Sequence, residues 1–92
     1  MKTVDYKVPG GKLLRIQVEF NGSKIVLCRI FGDFFMHPEE KILNLEQFLV
    51  GQDITQLSQD AIAEFLQHEM VEVFGFAAGD LLLILNRAYE NL

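Results

Sequence analysis

An alternation of apolar and polar residues from Leu14 to Phe20 constrains the fold of this chain more than any other feature. Every second residue of this stretch is apolar, which is the period of a half-buried β-strand. Asn21-Gly22 follows directly, and an apolar run extends from Lys24 to Ile30. Because Asn and Gly both tolerate positive φ, as a type I′ turn requires, the sequence predicts an antiparallel hairpin centred on Asn21-Gly22.

The second strand of this hairpin carries apolar side chains at successive positions. Strict alternation predicts two apolar faces. Their members are Ile25 and Leu27 on one face and Val26, Cys28 and Ile30 on the other. Strands that are apolar on both faces are typically covered on both, so we expect this strand to be the more buried partner.

A shorter edge strand is predicted from Val4 to Val8. Pro9 ends it, and at the edge of a sheet a proline removes no hydrogen bond of the ladder. The Gly-Gly-Lys cluster at residues 10–12 departs from a Walker phosphate loop, which needs a glycine where this chain has Tyr6 and a hydroxyl where it has Leu13. Such a loop also opens a helix, whereas a strand follows here. We interpret the cluster as a turn that leads into a strand.

Three helices are predicted in the second half of the chain. Pro38 opens the first helix, with Glu39-Glu40 in its first turn, and Gly51 ends it. Ser58 caps the second helix, and the third runs from Ala78 to Tyr89. The stripes predicted to face inward are Ile42, Leu45, Phe48 and Leu49 on the first helix, Ile62, Phe65, Leu66 and Met70 on the second, and Leu81, Leu82, Leu85 and Ala88 on the third.

The order of these elements, strands first and helices after, predicts an α+β fold. We expect a small antiparallel sheet with about three helices packed on one of its faces. The length of 92 residues fits one domain, 1–92. The form of the apolar link from Val71 to Phe76 stays open.

Composition and charge exclude several classes of function. The formal charge is −5 and the eight Lys and Arg residues are scattered, which argues against a nucleic-acid partner. No apolar run approaches the ~20 residues of a membrane span, and no export signal is recognisable. The single cysteine, Cys28, excludes an internal disulfide and fits a reducing compartment. We therefore expect a cytoplasmic protein with no membrane partner.

The side chains that commonly carry catalysis are isolated from one another. His37 and His68 lie on different predicted elements, and neither has a second metal ligand at a suitable spacing. Cys28 lies within a strand and has no cationic neighbours to lower its pKa, which indicates a small core residue. Glu39 and Glu40 are adjacent on a predicted helix, so their carboxylates point about 100° apart. We expect no catalytic residue and no metal ligand, which predicts that the chain acts with a partner.

Residues 32–40 contain two adjacent aromatic residues. In extended backbone Phe34 and Phe35 point to opposite sides, so one enters the core and the other needs a different cover. Burial of a Phe side chain stabilises a protein by roughly 1.5–3 kcal/mol, which makes an uncovered one unfavourable. The cover is either a helix of the same chain or a second protein.

Three motifs together resemble the C-terminal accessory domain of lipoate–protein ligases. They are Lys-x-Pro-x-Gly, then Gly-Asp-Phe-Phe after a strand, then Leu-Glu-x-x-Leu-x-Gly, in this order over nearly the whole chain. Their residues here are Lys7, Pro9 and Gly11; Gly32, Asp33, Phe34 and Phe35; and Leu45, Glu46, Leu49 and Gly51. The last helix fits less strictly, because Ala77 and Ala78 replace the family's usual cap and proline.

The resemblance implies a SufE/NifU-like fold and a role as the separate small subunit of a split ligase of archaeal type. The family's reaction uses ATP to convert lipoate to lipoyl-AMP and then passes the lipoyl group to a lysine of a carrier domain. The resemblance implies that the large catalytic subunit binds ATP, magnesium and lipoate in a heterodimer with this chain. It also implies that this chain binds no cofactor alone and is needed for the activation step. Indirect partners would be lipoyl carrier domains of 2-oxoacid dehydrogenases or of the glycine cleavage system.

Two segments are predicted to contact the partner or to close its active site. Their residues are Lys7, Pro9, Gly10, Gly11 and Lys12 in the first, and Gly32, Asp33, Phe34, Phe35 and His37 in the second. Lys12 is the candidate to approach a phosphate, and a solvated turn lysine is the alternative.

Two other classes of function stay open. One is a scaffold or carrier-binding module akin to iron–sulfur assembly proteins, which would need a reactive or metal-binding cysteine at Cys28. The other is a domain that forms homodimers.

Overall fold

The computed structural model describes residues 1–91 of the chain. Its strands are β1 (Lys2–Lys7), β2 (Leu13–Asn21), β3 (Lys24–Gly32), β4 (Phe35–His37) and β5 (Glu72–Phe74), and its helices are α1 (Lys41–Leu49), α2 (Gln59–His68) and α3 (Ala78–Glu90). The apolar link whose form the sequence left open contains β5. None of these helices is long and apolar enough to cross a bilayer.

β2 is the central strand of a three-stranded antiparallel sheet, with β1 and β3 at its two edges. The edge position of β1 is as predicted. The expectation for β3 is wrong, because Val26 and Phe31 of that strand are 41% and 43% exposed, whereas Leu14 and Ile16 of β2 are fully buried. Position at the centre of the sheet, rather than apolar content, decides which strand is more buried.

The turn between β2 and β3 differs by one residue from the predicted one. Asn21 pairs with Lys24, so Gly22 and Ser23 are its two central residues. Gly22 has φ +62° and Ser23 has negative φ. This pattern is typical of a type II′ turn, which needs positive φ only at its first central position. The hairpin is confirmed, and the predicted type I′ turn is wrong.

A β-bulge at Val26 changes which residues of β3 face the core. Phe20 pairs with Ile25, whereas the residue before Phe20 pairs with Leu27, so Val26 has no partner in the ladder. The alternation therefore shifts by one residue, and Ile25 is buried on the same face as Cys28. The predicted division of β3 into two regularly alternating faces is wrong for this reason.

One face of the three-stranded sheet carries the core. α3 packs against β1 and β2, α1 packs against β3, and α2 packs against α3. The opposite face bears exposed polar side chains, including the Arg15–Asp5 ion pair at 2.6 Å. The predicted α+β fold with helices on one face is confirmed. The largest fully buried side chains come from both layers: Leu14, Ile16, Val18 and Ile25 from the sheet, and Leu45, Leu49, Ile62, Leu81, Ile84 and Leu85 from the helices.

α1 begins at Lys41, three residues later than predicted. The N–H of Lys41 donates to the carbonyl oxygen of Pro38 at 3.2 Å, which is the spacing of a tight turn rather than of an α-helix. Glu39 and Glu40 therefore precede the helix and do not form its first turn. The predicted end is confirmed, since Gly51 follows the helix with φ +94°.

The Leu-Glu-x-x-Leu-x-Gly motif joins α1 to the outer edge of β3. Its two leucines are fully buried. The Oε2 of Glu46 accepts the N–H of Ile30 at 2.7 Å. The N–H of Gly51 donates to the carbonyl oxygen of Ile25 at 2.7 Å. The motif thus ties the helix to an edge strand at two points.

The end of α2 departs from the predicted apolar stripe. Ser58 caps the helix as predicted, because its Oγ accepts the N–H of Ala61 at 3.0 Å, and Ile62 is fully buried. Met70, however, lies beyond the helix with φ +56°, and it is 84% exposed. A left-handed residue at this position reverses the chain, so Met70 cannot continue the stripe.

Replacement of Met70 by glycine is expected to stabilise the fold. A left-handed conformation costs a residue that has a Cβ about 1 kcal/mol more than it costs glycine. We expect Met70→Gly to raise the free energy of unfolding in urea by about 0.5–1 kcal/mol. Gln67→Gly, at an exposed position inside α2, is the control and should lower it by about 1 kcal/mol. A Met70→Gly protein less stable than the parent would contradict the assigned backbone conformation.

Glu46→Ala is expected to destabilise the junction between α1 and β3. The substitution leaves the N–H of Ile30, a buried residue, without its acceptor, at a cost of about 1–3 kcal/mol. Glu46→Gln keeps a side-chain oxygen and should lose less than half as much in the same urea titration. Glu64→Ala, exposed on α2, is the control and should change little. If the Ala and Gln variants lost the same free energy of unfolding, Glu46 would not stabilise the fold through this hydrogen bond.

Candidate functional site

The two segments predicted to contact a partner meet at one end of the sheet, where the β1–β2 loop approaches the residues after β5. A shallow hollow of about 390 Å³ lies between them. We term it the aromatic hollow. Its lining residues are Val8, Pro9, Gly10, Gly11, Lys12, Phe35, Phe74, Gly75, Phe76, Ala77 and Asp80.

Backbone hydrogen bonds hold the β1–β2 loop against the segment after β5. The N–H of Lys12 donates to the carbonyl oxygen of Gly75 at 2.9 Å, and the N–H of Gly11 donates to that of Val8 at 2.8 Å. A Cβ on Gly11 would collide with the carbonyl oxygen of Gly75. Gly75 itself has φ +118°, a conformation that favours glycine. The close approach of these two segments therefore requires both glycines.

The two lysines of the loop have different roles. The Nζ of Lys7 donates to the carbonyl oxygens of Gly11 at 2.5 Å and Val8 at 3.1 Å, so it braces the loop from within. The side chain of Lys12 is exposed and forms no ion pair in residues 1–91. Asp80 lines the same hollow, and its Oδ2 accepts a backbone N–H at 2.8 Å before the first turn of α3. The hollow thus carries one cation and one anion.

The Gly-Asp-Phe-Phe motif turns the chain from β3 into β4 and presents one aromatic side chain on each side. Gly32 has φ +150°, and a Cβ there would collide with the carbonyl oxygen of Leu13. Phe34 packs edge-to-face on Phe76, with ring centroids 4.9 Å apart. Phe35 is 68% exposed. The prediction that the two aromatic residues face opposite sides is confirmed, and no element of residues 1–91 buries Phe35.

Phe35 pairs with an aromatic residue that the sequence did not predict as part of the site. It lies opposite Phe74 in the β4–β5 ladder, and Phe74 is 58% exposed. Directly opposite side chains on one face of a sheet lie about 5 Å apart at Cβ, so the two rings form one apolar surface beside the hollow. The alternation around Val73, followed by Gly75, is the signal that would have predicted this strand.

Five of the ten predicted site residues do not line the aromatic hollow: Lys7, Gly32, Asp33, Phe34 and His37. Gly32 and Asp33 form the turn after β3, where the N–H of Asp33 donates to the carbonyl oxygen of Leu13 at 3.1 Å. His37 is exposed and lies opposite Glu72 in the β4–β5 ladder. The structure therefore brings the Pro9–Lys12 loop together with Phe35, and it does not bring His37 or Asp33 to the same place.

The thiol of Cys28 is buried, whereas the aromatic pair beside the hollow is exposed. Burial and, to a smaller extent, the Glu46 carboxylate raise the pKa of the Cys28 thiol to about 12, so the thiol is protonated at neutral pH. Within residues 1–91 no three His, Cys, Asp or Glu side chains are grouped so as to hold a metal ion.

Comparison with known proteins identifies the family. No family model matches the chain. The chain is 34% identical over 71 residues to lipoate-protein ligase A subunit 2 of Thermoplasma acidophilum. The aligned residues cover 77% of this chain and 73% of that protein. A chain from the solved structure of an archaeal lipoylation system, a bi-partite lipoate protein ligase and its E2 lipoyl domain from Thermoplasma acidophilum, superposes with a TM-score of 0.69. The two chains are 30% identical, with 89% of this chain and 94% of that chain covered. The identity, the coverage and the shared fold together show that the present chain belongs to the family of lipoate–protein ligase second subunits.

Proposed function

We propose that this chain is the accessory subunit of a bipartite lipoate–protein ligase and is required for the ATP-dependent activation of lipoate to lipoyl-AMP. The observation that carries the proposal is the exposed Phe35–Phe74 pair beside a loop fixed by Gly11 and Gly75. Exposed aromatic side chains on a fixed backbone are typical of protein docking surfaces. Family membership supports a ligase subunit as the class of partner.

The large catalytic subunit would bind ATP, magnesium and lipoate, and this chain would contribute a surface that fits over the reaction centre. A docked subunit that covers the reaction centre excludes water and holds the reactants in a productive arrangement. Such positioning contributes up to several kcal/mol to lowering a barrier. The fixed loop suits this role, because a mobile cover would lose conformational entropy on docking.

Lys12 is the residue proposed to approach the phosphates of the bound nucleotide. Lys12 is exposed and lines the aromatic hollow, whereas Lys7 is engaged with carbonyl oxygens of the loop. A flexible lysine at a rim can neutralise a phosphate oxygen that a neighbouring protein holds. Asp80 lines the same hollow and is already bonded to a backbone N–H at the start of α3.

After activation, the lipoyl group would pass to a lysine of a carrier domain of a 2-oxoacid dehydrogenase or of the glycine cleavage system. We assign this chain to the activation step and place the reaction in the cytoplasm. We infer that its contribution to the reaction is steric and electrostatic, supplied by the exposed aromatic pair and by Lys12.

Removal of the exposed aromatic pair is expected to reduce lipoyl-AMP formation without unfolding the chain. Both rings are more than half exposed, so Phe35→Ser with Phe74→Ser removes little packing. Loss of an aromatic docking anchor costs about 2 kcal/mol, or roughly 30-fold in affinity. The measurement is lipoate-dependent exchange of pyrophosphate into ATP by the catalytic subunit, titrated with this chain.

Leu83→Ser on α3 is the matched control for this experiment, because that side chain is exposed at 38% on a different element. It should support the exchange at the parent's concentration dependence. Full activity of the double aromatic variant would contradict the assigned docking surface. An exchange rate that does not depend on this chain at all would contradict the proposed function.

The Cys28 thiol is expected to react slowly in the folded protein. With a pKa raised to about 12 by burial, only ~0.01% of the thiol is ionised at pH 8, and thiolate is the reacting form. Labelling with a disulfide reagent should take hours in buffer and seconds in denaturant. Rapid labelling of the native chain would instead favour the scaffold class of function, which needs a reactive cysteine.

A further inference from the structure

A second apolar surface continues from the aromatic hollow along the outer edge of β3. A groove of about 620 Å³ lies between β3 and α1, and we term it the edge groove. A small hollow connects the two surfaces, because it shares Phe35 with the aromatic hollow and shares Phe31 and Ile42 with the edge groove. Its exposed apolar side chains are Val26, Phe31, Leu43 and Val50. With Phe35 and Phe74 they make six of the nine large apolar side chains exposed in residues 1–91.

The wall of the edge groove formed by β3 has free backbone hydrogen-bonding groups. The N–H of Ile30 points away from β2, because it donates to Glu46 on α1. In an antiparallel ladder, residues two apart direct their N–H and C=O groups to the same side. The N–H and C=O of Cys28 and the C=O of Ile30 therefore face the groove, and no other backbone group in residues 1–91 is hydrogen-bonded to them.

These free groups limit the occupant to an extended segment. Unpaired edge groups flanked by apolar side chains are what a partner strand uses when it adds to a sheet. The upstream part of the edge is closed, since Gly51 and Gln52 bond to Ile25. The remaining stretch runs from Cys28 to Gly32, about 15 Å at the rise of a strand. Its outward groups are unpaired at Cys28 and at the C=O of Ile30, whereas Glu46 occupies the N–H of Ile30, so an added strand would pair mainly at Cys28.

Arg29 indicates the charge of the occupant. It lines the edge groove, its side chain is exposed, and it forms no ion pair in residues 1–91. The carboxylate that lines the same groove, Glu46, is already bonded to the N–H of Ile30. A free guanidinium beside an apolar groove pairs best with a carboxylate, so the incoming segment should carry an acidic residue.

We propose that the catalytic subunit of the ligase adds a short β-strand with an acidic residue to the open edge of β3 in the edge groove. The identity of the partner rests on the proposed function. The continuity of the edge groove with the aromatic hollow through Phe31 and Phe35 supports one partner for both surfaces. The edge groove would hold the two subunits together, and the aromatic hollow would cover the reaction centre.

Residue-resolved hydrogen exchange on the assembled heterodimer tests this strand without any variant. The amide of Cys28 should exchange at least tenfold more slowly in the complex than in the free chain, whereas Ile30, already bonded to Glu46, should change less. Unchanged exchange at Cys28 in a complex that makes lipoyl-AMP would overturn the strand and leave the proposed function intact. Protection at Cys28 in a complex whose activation step does not need this chain would support the strand and overturn the proposed function.

A second copy of this chain is the competing occupant. Slowing of the Cys28 amide in the free chain as its concentration rises, together with a doubled mass, would overturn the assignment to the catalytic subunit. A monomeric free chain with fast exchange at Cys28 supports the assignment.

A charge reversal at Arg29 tests the acidic residue. Arg29→Glu should weaken the heterodimer at least tenfold in Kd, and Arg29→Lys should weaken it less. Arg87→Glu, on α3 and outside the groove, is the matched control and should stay within twofold of the parent. Circular dichroism confirms that each variant is folded. A Kd unchanged or improved by Arg29→Glu would overturn the acidic residue on the incoming segment.

Discussion

The close approach of Gly11 to the carbonyl oxygen of Gly75 fixes the end of the molecule that carries the aromatic hollow. The β1–β2 loop and the end of β5 are remote in sequence, and the hydrogen bond from Lys12 to Gly75 joins them. That bond positions β5, and the β4–β5 ladder then positions Phe35. Two three-residue strands have little stability alone. The exposed aromatic pair therefore depends on a contact that leaves no room for one additional Cβ.

Most residues of the family's motifs make contacts within the chain. Lys7 braces its own loop, Gly32 avoids a collision after β3, and Glu46 bonds to the edge of the sheet. Phe35 is the exception, since it is exposed and contributes little to the core. A large apolar residue that does not stabilise the isolated fold is best explained by what it contacts in a complex. The motifs thus combine constraints on folding with one exposed aromatic residue, to which we assign a role in recognition.

The sequence predicted the features that depend on neighbouring residues. The period of two in β2, the cap at Ser58 and the stop at Gly51 are properties of short stretches, and each is present. The bulge at Val26 and the exposed position of Met70 were not predictable in this way. A bulge depends on how a strand pairs with its neighbour, which the sequence of one strand does not specify. The apolar pattern near Met70 is the same whether the helix continues or the chain reverses.

The same distinction explains how much of the site was predictable. The Pro9–Lys12 loop and Phe35 were both predicted from the sequence to contact a partner, and both line the aromatic hollow. Phe74 and Asp80 were missed, because they enter the site through a short strand and a helix start that lie far along the chain. Lys7 was expected to face a partner, but its carbonyl contacts form only once the loop is folded. Long-range contacts decide the roles of these side chains, and sequence periodicity carries no information on them.

The pattern of protection along β3 is the strongest reason to regard this chain as one part of an assembly. Isolated proteins cover or charge their sheet edges, since a free edge pairs with other chains. Here Gly51 and Gln52 close the edge at Ile25, and Glu46 occupies the N–H of Ile30. Within the edge groove the N–H and C=O of Cys28 have no backbone partner in residues 1–91, and the groove leads to the exposed Phe35. A free backbone and an uncovered aromatic ring on one continuous surface would be hazards for a protein that works alone. Both features suit the role that we propose for this chain, which is to hold and cover a partner subunit.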